Sequence, residues 1–175
     1  MILFKFFSKG KGDIILMNEF KLNVYTDGSY SKNKPDVYGW GVAIYKNNEL
    51  IKILNGVGNQ FIESWQIGGE CEAVIQVMQH VLNNIDHYNI SILNINYDYL
   101  GIEKWAEGQW RAKKKVSQDY VKQFTDLKLQ LMNNDIQVHF VKVKGHSGVE
   151  GNETADQYAK NAIEEYYNRT VSYTH

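Results

Sequence analysis

The chain has 175 residues, 43% of them hydrophobic and 22% charged, a composition that predicts one soluble folded domain and excludes a disordered chain. Its formal net charge of −1 excludes a general attraction to phosphate, so any affinity for nucleic acid must come from local basic patches or bound metal. The single cysteine, Cys71, excludes an internal disulfide and favours a reducing, cytoplasmic location. No apolar run approaches the ~20 residues of a membrane-spanning helix, so no membrane partner is expected.

Regular hydrophobic patterns begin only after residue 20. Residues 1–20 are predicted to be an N-terminal extension, residues 21–167 a single domain, and residues 168–175 a C-terminal tail. No internal repeat or linker divides the domain. Nothing in the sequence indicates an obligate protein partner, and a monomer is expected.

Three strands are predicted between residues 22 and 56. Residues 22–27 alternate apolar and polar side chains, which is typical of a half-buried strand that ends at Asp27. Residues 38–45 and 50–56 form the next two predicted strands, joined by a hairpin turn at residues 47–48. These three strands are therefore predicted to form a meander.

Helices and strands alternate in the rest of the domain, which predicts an α/β fold with helices flanking a mixed five-stranded sheet. Residues 68–82 have apolar side chains at three- and four-residue spacing and predict a helix. Further strands are predicted at residues 91–97, before Asp98, and at residues 136–143. The remaining predicted elements are a short helix at 99–106, a basic connector at 108–115, a long helix capped by Ser117, a glycine-rich loop at 145–148 and a last helix at about 150–166.

Four carboxylates are predicted to meet at one edge of this sheet. Asp27 and Asp98 each stand at the C-terminal end of a strand. Helical phase places Glu70 on the apolar face of its helix and Asp156 on the apolar face of the last helix. If the two strands are neighbours and both helices pack across them, all four carboxylates lie together.

Such a cluster repels itself, because like charges 4 Å apart near a protein surface cost on the order of 4 kcal/mol per pair. Hard divalent cations relieve this repulsion, since Mg²⁺ and Mn²⁺ prefer carboxylate oxygen. We therefore interpret Asp27, Glu70, Asp98 and Asp156 as ligands of two metal ions, a device suited to in-line displacement at phosphate. The metal is expected to be Mg²⁺, with Mn²⁺ as an alternative.

Three of these residues also have a local interpretation when each is taken alone. Asp27 suits a turn, Asp98 a helix cap, and Asp156 the start of a helix, where the dipole favours negative charge. His146 precedes Asp156 by ten residues in the glycine-rich loop. It is either a plain loop residue or an imidazole that moves protons near the metal site.

Taken together, these residues resemble type 1 ribonuclease H over residues 22–166. The segment 97–105 looks like a bacterial branch named for a viroplasmin-like domain joined to ribonuclease H, although residues 1–20 are too short to form that domain. Binding weaker and less processive than in two-domain relatives is therefore expected. The matching motifs are Thr26-Asp27-Gly28-Ser29, Gly69-Glu70, Tyr97-Asp98, and Gly145-His146-Ser147-Gly148 followed by Asn152 and Asp156.

The resemblance implies Mg²⁺-dependent endonucleolytic hydrolysis of RNA paired to DNA, leaving 3′-hydroxyl and 5′-phosphate ends. It implies that Asp27 bridges both metals and that Asp156 helps to hold the one that activates water. Glu70 and Asp98 would hold the metal at the leaving oxygen. His146 would match the family's loop histidine, which aids proton transfer or product release.

The resemblance also identifies residues that would contact the nucleic acid. Gly28 would leave room for its backbone, Ser29 would touch the held strand, and Asn152 lies in the last matching motif. The family's asparagines ahead of the catalytic glutamate are absent, and Gln66 is the predicted substitute. The basic connector, with Trp110, Arg111, Lys113, Lys114 and Lys115, resembles a reduced form of the family's DNA-binding protrusion, although lysine runs are more often solvated surface.

Two other functions remain open from the residues. A catalytically silent module that binds hybrids is compatible with the altered stretch before Glu70, although binding alone would not need four carboxylates. A DNA nuclease or strand-transfer enzyme on the same fold is less favoured by the single-domain length and the Gly-His-Ser-Gly loop.

Overall fold

Five strands form one mixed sheet in the computed structural model, which describes residues 20–145 and 148–172. The sheet order is β3-β2-β1-β4-β5, with β1, β2 and β3 antiparallel and β4 and β5 parallel to β1. The predicted α/β class and mixed five-stranded sheet are confirmed. The strands are β1 Lys21–Ser31, β2 Lys34–Lys46, β3 Glu49–Gly58, β4 Ile92–Tyr97 and β5 Gln137–Lys142.

Helices connect the strands and cover both faces of the sheet. A short 3₁₀ turn, Ile62–Ser64, leads into the first long helix. None of the helices in the described part of the chain is long and apolar enough to cross a bilayer. The helices are α1 Gln66–Asn83, α2 Ile85–Tyr88, α3 Gly101–Ala106, α4 Lys115–Asn133 and α5 Glu150–Ser172.

Several helix boundaries differ from the prediction, and those of α4 and α5 differ in ways that concern predicted residue roles. Helix α5 continues to Ser172, so residues 168–172 of the predicted tail are helical. The C-terminal half of α5 is held against β2, where the hydroxyl of Tyr167 donates to Asp36 Oδ2 at 2.7 Å. Helix α4 begins at Lys115, and Ser117 does not cap it, because its hydroxyl donates back to the carbonyl of Lys114 at 2.8 Å.

The main core lies between the sheet and helices α1 and α4. The predicted apolar stripe of α1 is fully buried, and α4 packs against it with its own buried stripe. Phe124 of α4 stacks on Phe140 of β5 with ring centroids 5.4 Å apart, so α4 covers the β5 side of the same face. The buried stripes are Ala73, Val74, Val77, Met78 and Val81 in α1, and Tyr120, Phe124, Leu127 and Leu131 in α4.

Helix α5 covers the opposite face by resting directly on the backbone of β2. A Cβ at Gly41 would lie 2.7 Å from the backbone nitrogen of Ala159, and a Cβ at Gly39 would collide with the carbonyl of the same residue. Glycine in the strand and alanine in the helix therefore permit this close approach. The helix is set closely enough to bring its N-terminal half to the rim of the sheet.

Candidate active site

Asp27 lies in the middle of β1, and the expectation that it ends its strand is wrong. Strand β1 continues to Ser31 because β2 pairs with it along the whole hairpin. The parallel pairing with β4 is shorter and stops at Tyr25 opposite Asn96. Asp27 therefore lies in the part of β1 that extends past the end of its pairing with β4. It is paired with Gly41, so its side chain points to the sheet face that α5 covers.

Asp98 follows the last residue of β4, as predicted, and is held from two sides. The Nζ of Lys142 in β5 donates to the backbone carbonyl of Asp98 at 2.6 Å. Gly145 lies against the carboxylate, since a Cβ there would be 2.7 Å from Asp98 Oδ2. The loop after β5 thus packs on this carboxylate and limits where it can move.

Glu70 lies near the start of α1 and is buried, with 5% of its surface exposed. Its position depends on two glycines that bring α1 onto the sheet backbone. A Cβ at Gly69 would lie 2.9 Å from the Cα of Gly28, and a Cβ at Gly28 would collide with the backbone nitrogen of Glu70. The close approach carries the Glu70 side chain to the edge where Asp27 stands.

These elements bring three of the predicted carboxylates together. Oxygen atoms of Asp27, Glu70 and Asp98 all lie within 4.8 Å of one another. Burial raises the pKa of Asp27 to about 7, aided by the charges of Asp98 and Asp156, whereas the N–H of Gly28, 2.8 Å from Oδ1, opposes the rise. Burial raises the pKa of Glu70 well above its usual range, aided by the charges of Asp27 and Asp98.

The donor set suits a divalent cation. Glu70 Oε2 is buried without a hydrogen-bond donor among the described residues, although an unpaired buried carboxylate oxygen is costly. Three clustered carboxylates raise that cost, and a hard cation bound by their oxygens would remove it. Both the unpaired oxygen and the mutual repulsion are thus explained by a metal site.

Asp156 is not one of the three carboxylates whose oxygen atoms all lie within 4.8 Å of one another. Its charge acts on Asp27, yet its own Oδ2 accepts an ion pair from Lys160 at 2.6 Å. Asn152, one turn earlier in α5, is buried and its Oδ1 has no partner in the described part of the chain. His146 lies outside the described residues.

The residues near the cluster that are predicted to contact nucleic acid differ in how far they are exposed to solvent. Ser29 is half-buried in β1, and Gln66 is exposed as the first residue of α1. The space beside Gly28 is filled by the α1 backbone, including the carbonyl of Gln66. Position 28 must therefore be glycine because α1 packs directly against it. This reason differs from the predicted one, which was that glycine leaves room for the nucleic acid.

The basic connector is exposed, as its composition predicts. Arg111, Lys113, Lys114 and Lys115 all face solvent, and Lys115 forms an ion pair with Asp119 one turn later in α4. Trp110 is 43% exposed and makes an edge contact with Trp105. The tryptophan is thus anchored to the body of the protein, while the lysines extend from it.

Two features near the site were missed from the sequence. Asn96 is buried in β4 and its Nδ2 donates to the carbonyl of Val24 at 3.1 Å, which fixes β4 against β1 just before Asp98. Trp65 is 56% exposed directly before α1. The only sequence signal for Asn96 is that it interrupts an apolar strand, and the only one for Trp65 is its place directly before α1.

Comparisons with known proteins agree with this arrangement. A family model for RNase H matches residues 19–164. Ribonuclease H of Ruthia magnifica is 34% identical over 151 residues, covering 82% of this chain and 96% of that protein. Ribonuclease H of Bartonella bacilliformis is 32% identical over 154 residues, covering 86% and 95%.

Solved structures show the same fold at low sequence identity. RNase H1 of the archaeon Halobacterium salinarum superposes with a TM-score of 0.65 at 15% identity, covering 83% of this chain and 98% of that one. LC11-RNase H1, solved in complex with an RNA/DNA hybrid, gives 0.61 at 16% identity, covering 81% and 99%. The family match, the bacterial relatives and the shared fold together show that the chain belongs to the ribonuclease H family.

Proposed function

We propose that this chain is an endonuclease that hydrolyses the RNA strand of RNA/DNA hybrids with the help of two Mg²⁺ ions. The observation that carries the proposal is the buried carboxylate cluster, with its unpaired Glu70 oxygen, at the rim of a ribonuclease H fold. Family membership gives the reaction class, and the cluster supplies the chemical means. We further propose a monomer acting in the cytoplasm, with Mn²⁺ as an alternative ion.

Each carboxylate has a distinct role in this proposal. Asp27, Glu70 and Asp98 would hold metal, and Asp156 would complete the set by exchanging its contact with Lys160. Bound divalent ions would polarise the phosphate and lower the pKa of the attacking water. His146 would carry a proton at the product side.

The protein's own contribution is to fix these carboxylates before substrate arrives. The Gly28 N–H orients Asp27, and the α1 backbone places Glu70. Lys142 and Gly145 fix Asp98 from the β5 side. Preorganised charge of this kind supplies much of the rate enhancement in enzymes, because no reorganisation is needed during the reaction.

The direct test compares three substrates of equal sequence: an RNA/DNA hybrid, duplex RNA and duplex DNA, each with Mg²⁺. We expect cleavage of the hybrid alone. Binding of the hybrid without cleavage would favour a silent binding module instead. Cleavage of duplex DNA would favour a DNA nuclease.

Mg²⁺ is expected to stabilise the folded protein independently of any activity. An ion present at ten times its dissociation constant adds about 1.4 kcal/mol, which raises the melting temperature of a chain of this size by about 3–5 °C. Differential scanning fluorimetry with EDTA and then with Mg²⁺ measures this. The rise should persist in Asp126→Asn, an exposed aspartate of α4, and a wild-type protein without any rise would contradict the metal site.

The basic connector is expected to bind phosphate. Reversing Lys113, Lys114 and Lys115 to glutamate should reduce the slope of log Kd against log salt by about 0.9 for each phosphate that the protein no longer neutralises. Gel shifts of the hybrid between 50 and 200 mM salt, roughly the range over which such effects are large, give the slope. Lys52→Glu on the edge strand β3 is the matched control. An unchanged slope in the triple variant would return these lysines to ordinary solvated surface.

A further inference from the structure

The side chain of Lys142 bridges β4 and β5 at the point where both strands end. The N–H of Val143 donates to the carbonyl of Tyr97, the last residue of β4, at 2.8 Å. Beyond that bond, the Nζ of Lys142 donates to the carbonyl of Asp98 at 2.6 Å and to the carbonyl of Val143 at 2.8 Å. One ammonium group therefore ties the backbone of Asp98 to the neighbouring strand.

The ring of Tyr97 holds this ammonium group in place. Nζ of Lys142 lies 5.8 Å from the centroid of the Tyr97 ring, a distance at which an aromatic face attracts a cation. Tyr97 is fully buried and makes an edge contact with Phe140 at 5.6 Å between centroids, so its own position is fixed. Lys142 is exposed, and a long exposed side chain keeps one orientation only where contacts offset the loss of rotamer freedom.

Glu103 of α3 acts on the same ring from its hydroxyl end. The hydroxyl of Tyr97 donates to the carboxylate of Glu103. The preceding residue, Ile102, is buried, and its carbonyl accepts a hydrogen bond from the hydroxyl of Tyr120 at 3.0 Å. The carboxylate of Glu103 is therefore presented by a fixed turn of helix.

A carboxylate at this position does more than satisfy a buried hydroxyl. Any neutral acceptor would meet the need of a buried tyrosine for a hydrogen-bond partner. A phenol that donates to an anion is polarised by it, which makes the face of its ring more attractive to a cation. Glu103 thus favours the orientation in which Lys142 reaches the carbonyl of Asp98.

We propose that Glu103 is a positioning residue for Asp98, acting through Tyr97 and Lys142 to hold that carboxylate where it binds metal. The inference rests on the proposed function, because it takes Asp98 as a ligand of a catalytic metal ion. Glu103 takes no part in the bond-breaking step. Loss of an outer contact of this kind typically changes metal affinity or activity about 10–100-fold.

The first experiment asks whether Glu103 acts on the metal site or only on the fold. Glu103→Ala should lower kcat for the hybrid and raise the Kd for Mn²⁺, measured by calorimetry without nucleic acid, each about tenfold, and should leave KM within about twofold. Glu103→Gln still offers an acceptor and should recover part of both losses. Glu107→Gln removes the same charge from an exposed position at the end of α3 and is the matched control. A Glu103→Ala protein that lost only melting temperature would overturn the inference.

The second experiment is a double-mutant cycle with Lys142→Met, which keeps a long side chain and removes the ammonium group. Glu103→Ala should lower kcat about tenfold in the wild-type background but less than about twofold in Lys142→Met, because its effect passes through Lys142. Equal losses in both backgrounds would overturn the inference alone. A wild-type protein that bound no Mn²⁺ would overturn the proposed function as well. If wild type bound Mn²⁺ without cleaving the hybrid, the same cycle measured as Mn²⁺ affinity would still decide the role of Glu103.

Discussion

Replacing Asp27 with asparagine is expected to lower kcat for an RNA/DNA hybrid about 10²–10³-fold and to raise the melting temperature of the metal-free protein. The two effects have one physical cause. Asp27 is buried and shares its site with the carboxylates of Glu70 and Asp98. Without metal this arrangement destabilises the fold through desolvation and like-charge repulsion, and an asparagine side chain would keep the shape while removing one charge.

The expected magnitudes are large for activity and moderate for stability. Loss of one preorganised charge-stabilising group typically lowers kcat by about 10²–10³-fold. Removal of one charge from the cluster should add about 1 kcal/mol in EDTA, or roughly 2–4 °C in melting temperature. Single-turnover cleavage and scanning fluorimetry measure the two effects on the same preparations.

A matched variant shows whether both effects belong to the cluster. Asp126→Asn removes the same charge from an exposed position on α4 and should change neither quantity. Mg²⁺ should reduce or reverse the stability difference, because the wild-type protein gains more from the ion. A variant that lost activity and also became less stable in EDTA would indicate that Asp27 supports the fold and would argue against an electrostatically strained metal site.

Helical phase is the part of the site that the sequence predicted best. The apolar stripe of α1 determines the orientation of that helix, and Glu70 lies on its buried side, as the spacing indicates. The same argument was only partly sufficient for Asp156. Asp156 is only half-buried on α5, and its carboxylate pairs with Lys160 one turn later, a contact that the apolar phase of the helix does not indicate.

Strand pairing and backbone strain could not be predicted in the same way. The length of β1 beyond Asp27 is set by its antiparallel partner, and alternation within β1 carries no information about where β2 stops pairing. Trp65 shows a second limit. Its positive φ results from the joint between the 3₁₀ turn and α1, whereas sequence reasoning assigns such angles to glycine.

Gly28 is the position where the sequence interpretation and the structure give different physical reasons for the same residue. If Gly28 served only to leave room for the nucleic acid, replacing it would affect only substrate binding. In the structure, its missing side chain admits the α1 backbone, because a Cβ would lie 2.7 Å from the carbonyl carbon of Gly69 and would collide with neighbouring backbone atoms. These are main-chain atoms of a helix and cannot rotate away as a flexible side chain would.

Gly28→Ala is therefore expected to damage both the fold and the site. Overpacking against backbone should destabilise the protein by about 3 kcal/mol, lowering the melting temperature by roughly 6–12 °C. The collision between the added methyl group and the α1 backbone would also displace Glu70. A shift of about 1 Å in a catalytic group can lower the rate about a hundredfold. Chemical denaturation and kcat at saturating hybrid measure the two losses.

Gly108→Ala is the matched control, since Gly108 has a φ of 70° and, its two chain neighbours aside, no atom of the described residues lies within 4 Å of the added methyl group. It should lose only about 1 kcal/mol through its left-handed backbone and keep its kcat. If Gly28→Ala retained full stability and raised KM alone, the glycine would serve the nucleic acid after all. Loss of stability together with kcat would instead show that α1 needs this contact to place Glu70 beside Asp27.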